Sequence, residues 1–162
     1  MKAQMKQLAY FDALTSLPNR NHFIQWAKQP FPMKNASVFL LDVDRFKWVN
    51  DHLGHQIGDI LLKEVASRLK QVAKEGDFLC RKGGNEFVFI TGEKEEEVLH
   101  QLLQQFAHPF YVDEEELFLT ISIGVCKGSV DVENTLESLV KCADHAMLEA
   151  KKIEGVVDVR KR

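Results

Sequence analysis

The sequence predicts a mixed α/β (α+β) domain in which a central, mostly antiparallel sheet is flanked by helices and carries a β-hairpin. Three observations predict it. The continuous apolar run Ser37-Val38-Phe39-Leu40-Leu41 ends at two carboxylates, Asp42 and Asp44, as a strand buried on both faces does. Ile57, Ile60, Leu61, Val65, Leu69 and Val72 recur at three- and four-residue spacing with charges between them, the period of a helix packed by one face. Two short apolar runs, residues 77–80 and 87–90, flank Gly83-Gly84, the composition of a tight hairpin with positive φ in its turn.

The elements follow in order. Residues 1–11 are mildly amphipathic and are expected as an N-terminal linker helix continuing from something upstream. Residues 12–20 read as a turn, with Pro18 placed to start a new helix rather than sit inside one. Pro30 and Pro32 end that helix, and the central strand over residues 37–44 follows. The periodic helix spans about residues 56–74, and the Gly-Gly hairpin comes next. A helix over about residues 93–106 opens with acidic side chains that suit its N-terminal dipole. Residues 109–112 and 117–125 read as two strands joined by the acidic turn 113–116, a solvated tip. A last helix over residues 135–152 presents Leu136, Leu139, Val140, Ala143, Ala146, Met147 and Ala150, and residues 156–159 add an edge strand. No internal repeat or linker interrupts the chain, so residues 1–162 are read as one domain.

Composition bounds the function. The chain has 162 residues, 45% hydrophobic and 28% charged, enough apolar material for one sizeable core. A formal net charge of -3 gives no electrostatic reason to expect nucleic acid or an anionic membrane as partner, so any phosphate binding must be local. The strongly apolar run at residues 38–41 is far shorter than the roughly 20 residues a membrane helix needs. With no signal-peptide pattern, a cytoplasmic location is expected. Cys80, Cys126 and Cys142 are an odd count without metal-type spacing, and are expected as reduced core residues.

The residues with chemical potential cluster around the central strand. Asp42 and Asp44, separated by one residue at its end, are expected to point to opposite faces of the sheet, so that at most one faces a given site. One such carboxylate opposite a Gly-Gly turn bearing Glu86 would suit Mg²⁺, which takes a few hard oxygen ligands plus substrate phosphates. The alternative is that these acids are helix caps and turn formers. Asp59 near the start of its helix is by default a dipole partner, and Asn50 a turn residue. His52 and His55 lie beside Gly54 in a loop-like stretch and are not expected to bind metal.

Four blocks, in order, carry a resemblance over essentially the whole chain. They are DALTSLPNR at residues 12–20, LDVDRFKWVNDHLGHQIGD at 41–59, RKGGNEF at 81–87, and LTISIGV at 119–125 followed by ADHAMLEAKK at 143–152. The chain resembles a GGDEF domain of the diguanylate cyclase family. That resemblance implies a palm-like fold akin to class III nucleotide cyclases, and a reaction that joins two GTP, one per protomer of a homodimer, into cyclic di-GMP and pyrophosphate. It implies Mg²⁺ (or Mn²⁺) on Asp42, the Val43 backbone and Glu86. Residues 43–47, with Phe46, Lys47 and the turn glycines Gly83 and Gly84, would cradle phosphates together with Lys151 of the last helix. Asn50 and Asp59 would read the guanine edge, with Leu62 pressing on the base. The opening block and the hairpin over residues 112–125 resemble GGDEF domains in tandem with EAL phosphodiesterase domains, so an EAL or sensory domain is the implied partner.

The chain departs from the family's pattern at three places. Active members carry Asp or Glu at the third motif position, where this chain has Asn85, a neutral side chain that can neither accept a proton nor add a charge to the metal site. Losing a general base alone costs about 10² to 10⁴ in rate, and a lost ligand weakens charge stabilisation further. The expectation is a degenerate domain that binds GTP as a regulatory input with little or no cyclase activity. Alternatives are a slow cyclase using Asp42 and Glu86, and a dimerisation module without ligand. Gly155 stands where the family's last helix usually ends in a phosphate-binding Arg. The family's inhibitory Arg-x-x-Asp site reads Lys74-Glu75-Gly76-Asp77, and Lys lacks the planar fork of Arg.

Overall fold

The computed structural model describes residues 9–28, 33–130, 135–153 and 157–161. Of the linker helix expected at residues 1–11 only the last three residues are described; Pro30, Pro32 and Gly155 also lie outside the described residues. The elements are α1 (Arg20–Ala27), β1 (Met33–Val43), α2 (Phe46–Leu53), α3 (His55–Val72), β2 (Phe78–Gly83), β3 (Glu86–Thr91), α4 (Glu95–Phe106), β4 (Phe110–Val112), β5 (Glu115–Leu117), β6 (Ile121–Val130), α5 (Leu136–Lys151) and β7 (Val157–Lys161).

Five strands form one sheet in the order β2-β3-β1-β6-β7, antiparallel throughout except for the parallel β6–β7 pair. Strand β1 lies at its centre, and both its faces are covered. Phe39, Leu41 and Val43 join Val65 and Leu69 of α3 and Leu102 of α4 in one apolar layer. Val38 and Leu40 join Leu139, Ala143 and Met147 of α5 in the other. Burial on both sides is why β1 reads as an unbroken apolar run rather than an alternating one.

Helix α5 lies flush on β6. A Cβ at Gly124 would stand 2.2 Å from the Ala143 carbonyl oxygen and 2.2 Å from the Met147 nitrogen, so only glycine permits this approach. The same closeness explains a correction to the cysteine expectation. Cys126 on β6 and Cys142 on α5, with Cα atoms 5.7 Å apart, are joined as a disulfide, and only Cys80 is a free buried thiol, its pKa pushed up to about 12 by burial. A strand-to-helix pairing across 16 residues has no sequence spacing that announces it.

Other boundaries moved for local reasons. The stretch that reads as a loop around His52 and His55 is two helices, α2 and α3, joined at Gly54 with φ 92°. The strand expected over residues 117–125 is broken: β4 and β5 close a separate two-stranded sheet, and β6 starts afresh in the main sheet. The acidic tip is confined to Asp113-Glu114, with Asp113 at φ 52°, because Glu115 and Glu116 already pair with Val112 and Tyr111. The buried Arg68 of α3 fixes this hairpin. It donates to the carbonyls of Gln105 (2.9 Å), His108 (2.8 Å) and Pro109 (2.6 Å), and its guanidinium lies 3.8 Å from the Phe110 ring centre.

Candidate functional site

The ends of β1 and β3 meet the last turn of α5 and the first turn of α2 around a cleft of about 460 Å³. Asp42, 2% exposed, is its floor, and Glu86 is its cross-strand partner on β3. Between β2 and β3 the chain reverses through Gly84, at φ 49°, which brings Asn85 back over the end of β1. The Asn85 amide nitrogen donates to Asp42 Oδ1 and, at 2.8 Å, to the Val43 carbonyl. Facing two acceptors, only the nitrogen end of the amide can make both bonds. Lys151 Nζ, from the last turn of α5, is ion-paired to Asp42 Oδ2. Burial raises the Asp42 pKa above the usual carboxylate range; Lys151 acts in the opposite direction, while the charges of Glu86 and Asp44 add to the rise.

Asp44 corrects the expectation that the two acids diverge. Residues two apart on a strand share a face, and both Asp42 and Asp44 line the cleft. Asp44 is 5% exposed and accepts from Thr120 Oγ1 at 2.6 Å and Ser122 Oγ at 2.7 Å, so the start of β6 and the residue before it anchor it. Directly after it Arg45 adopts φ 63°, a left-handed conformation uncommon outside glycine and Asn, and α2 begins. The turn sets residues 43–47 along the cleft wall, and a helix start leaves backbone N–H groups without helical partners, as an anion requires.

Asn50 of α2 also lines the cleft, and its position depends on Gly58 of α3: a Cβ there would lie 1.9 Å from Asn50 Oδ1. Asp59 is the next residue on α3 and is solvent-exposed, outside the cleft lining. Leu62, one turn on, is 2% exposed and packed in the core. The cleft therefore unites Asp42, Val43, Phe46, Lys47, Asn50, Asn85 and Lys151. Glu86 stands beside it with Lys82 Nζ 4.0 Å from its carboxylate, and Gly83 and Gly84 are at the exposed turn. Arg45 lines the cleft as part of the segment 43–47, whereas sequence reasoning missed the lining residues Asp51 and His55.

The donor set available to a divalent cation is all oxygen: the Asp42 and Glu86 carboxylates and the Val43 carbonyl. It suits Mg²⁺ bound with substrate phosphates rather than a protein-only cage, and among the described residues no three His, Cys, Asp or Glu side chains converge. Lys74 and Asp77 are elsewhere, where the Asp77 carboxylate accepts from the Lys74 backbone nitrogen at 2.9 Å within a turn. His52 is stacked on Trp48, ring centres 4.7 Å apart.

A second connection was not read from the sequence. Arg81 Nη1 reaches both Asp12 oxygens, at 3.0 and 3.1 Å, and Arg81 Nε donates to the Gly84 carbonyl at 2.9 Å. The opening block is thereby tied to the turn that carries Asn85. Burial works against the Asp12 charge, but hydrogen bonds from Thr15 and Arg81 outweigh it and hold the carboxyl below its usual pKa.

Comparison with known proteins agrees with this fold. The family model described as "Diguanylate cyclase, GGDEF domain" matches residues 9–155. The chain is 39% identical to the signaling protein YkoW of Bacillus subtilis over 91% of this chain and 20% of that protein. It is 32% identical to the bifunctional diguanylate cyclase/cyclic di-GMP phosphodiesterase MucR of Pseudomonas aeruginosa, over 91% and 23% of the two. The chain thus spans about a fifth to a quarter of these relatives. Among solved structures, the coiled coil and GGDEF domain of DgcB from Caulobacter crescentus, in complex with c-di-GMP, superposes with a TM-score of 0.84 at 25% identity, covering 98% of this chain and 89% of that one.

Proposed function

This chain belongs to the GGDEF family of cyclic di-GMP signalling, and from that premise we propose that it is a degenerate member, one that binds GTP with Mg²⁺ or Mn²⁺ as a regulatory signal and forms little or no cyclic di-GMP. The observation that carries this reading is the Asn85 amide. At the position where active relatives place an acid, it donates hydrogen bonds to Asp42 Oδ1 and the Val43 carbonyl, the oxygens a metal would use. A neutral donor there supplies neither a base for the ribose hydroxyl nor a third negative ligand.

Part of the residue set that the resemblance assigns to nucleotide lines the cleft, which supports the reading. Lys47, Lys151 and the start of α2 would serve phosphates, and Asn50, beside the gap at Gly58, would offer an amide donor and acceptor to guanine; Asp59, outside the cleft lining, would reach the base only from its exposed position on α3. Asp42, Val43 and Glu86 would hold the cation, which supplies charge neutralisation on the phosphates. Occupancy would be passed to a neighbouring domain, an EAL phosphodiesterase or a sensor, in the longer protein that the short coverage of its relatives suggests. Dimerisation belongs to the same proposal. A slow cyclase is the second reading, favoured by Glu86 standing directly across from Asp42. Calorimetric titration with GTP and Mg²⁺ tests the proposal: saturable heat supports it, and silence beside a working control domain leaves only a structural role.

A further inference from the structure

Both oxygens of the Asp42 carboxylate are already engaged. Oδ1 accepts from Asn85 and Oδ2 from Lys151, while the Val43 carbonyl accepts from the same Asn85 amide at 2.8 Å. Glu86, the remaining carboxylate, has Lys82 Nζ 4.0 Å away. The charges of Asp42 and Glu86 are matched by Lys151 and Lys82, so the pocket is balanced by its own side chains. An acid at position 85 would leave one negative charge in excess, which is the ordinary reason such a site gathers a cation.

We propose that Lys151 is an exchangeable counter-ion of Asp42: it holds the carboxylate oxygen that a divalent cation needs, and gives it up when a polyphosphate enters the cleft and takes the ammonium instead. Lys suits this because its charge is a point on a flexible stem, and the Lys151 side chain is 39% exposed, open toward the cleft it would swing across. Metal alone then binds weakly, and metal and nucleotide bind together. By linkage each raises the affinity of the other by one and the same factor. The inference rests on the reading of the cleft as a GTP–metal site, and it separates from a lysine that acts on the metal through its charge alone: that lysine would weaken Mn²⁺ binding alike with and without nucleotide, whereas an exchanged Lys151 weakens it only without.

The test titrates Mn²⁺ into the whole chain without nucleotide and follows free Mn²⁺ by electron paramagnetic resonance. Lys151→Met is expected to bind Mn²⁺ about ten-fold or more tighter than the unaltered chain, as the loss of an adjacent positive charge dictates, and Lys151→Arg to stay close to it. Adding Asp42→Asn to Lys151→Met is expected to abolish the tight site, which places it. Equal or weaker Mn²⁺ binding by Lys151→Met, or no measurable binding by either protein, overturns the inference. A GTP titration run alongside distinguishes the failures. GTP binding with an unmoved Mn²⁺ affinity sinks the counter-ion and keeps the nucleotide reading; a tighter Mn²⁺ site without GTP binding keeps the Lys151–Asp42 pairing but sinks the nucleotide reading and the exchange with it.

Discussion

Restoring the acid, Asn85→Asp, exposes what the amide does in the folded chain. Asn85 makes two hydrogen bonds from one nitrogen, one to the Val43 carbonyl and one to the buried Asp42 carboxylate. A neutral bond contributes about 1 kcal/mol and a bond to a charged group about 1.5–3 kcal/mol. A carboxylate can make neither while ionised and also faces Asp42 as a like charge, so the metal-free variant is expected to lose about 2–4 kcal/mol. At about 2–4 °C per kcal/mol for a domain of this size, that is a fall in Tm of roughly 4–16 °C. Mg²⁺ at millimolar concentration is expected to relieve the repulsion and recover most of it. The loss also shrinks on acidification, because paired carboxylates have folded pKa values above the unfolded one, and the ionised, destabilised form is reached only as pH rises through the folded value. Thermal unfolding in EDTA and in MgCl₂ measures both effects. Equal Tm values for the variant and the unaltered chain in EDTA would refute the geometry assigned to Asn85.

Three further outcomes follow from the same structure. Gly58→Ala should leave the unfolding free energy within about 1 kcal/mol of the original, since alanine favours the helix while Asn50 swings away from a Cβ at 1.9 Å; GTP affinity, read by calorimetry, should drop about 2- to 12-fold for one lost hydrogen bond, and an unchanged Kd counts against Asn50 as a guanine contact. Gly124→Ala drives a Cβ into the backbone of α5, so urea unfolding should show a loss of at least about 1–3 kcal/mol, and full stability would mean α5 does not lie where it is described. The Asp12 carboxyl has its pKa held below the usual value of 3.8, so its contribution is complete above that value and is lost as pH falls through the depressed one; Asp12→Asn should flatten the stability profile below about pH 4, and a profile of unchanged slope would contradict the Thr15 and Arg81 contacts.

The sequence shows this fold where the physics is local. β1 announces itself because both its faces are buried, and α3 because it buries one face with a regular period. Helix α2 is hidden: Phe46–Leu53 is short, starts from a left-handed Arg45 rather than a capping side chain, and ends at a glycine, so its pattern resembles a loop. The Cys126–Cys142 bond, the Arg81–Asp12 pair and the Arg68 fixture join residues 16 to 69 positions apart, and no periodicity encodes such meetings. At the site, motif resemblance pointed to Asp42, Asn85 and Lys151 as separate residues. That their side chains are bonded to one another, with Asp44 on the same face, emerges only once the β1 and β3 ends and the last turn of α5 are placed together.

The central claim is that Asn85 leaves a cleft able to hold nucleotide but unable to turn it over. Its most direct measurement is incubation of the purified chain with GTP and Mg²⁺, followed by chromatography of nucleotides from the protein and from solution. The account predicts GTP retained by the protein and cyclic di-GMP formed at no more than about 10⁻² of the rate of an active control domain. Turnover within about ten-fold of that control would contradict it.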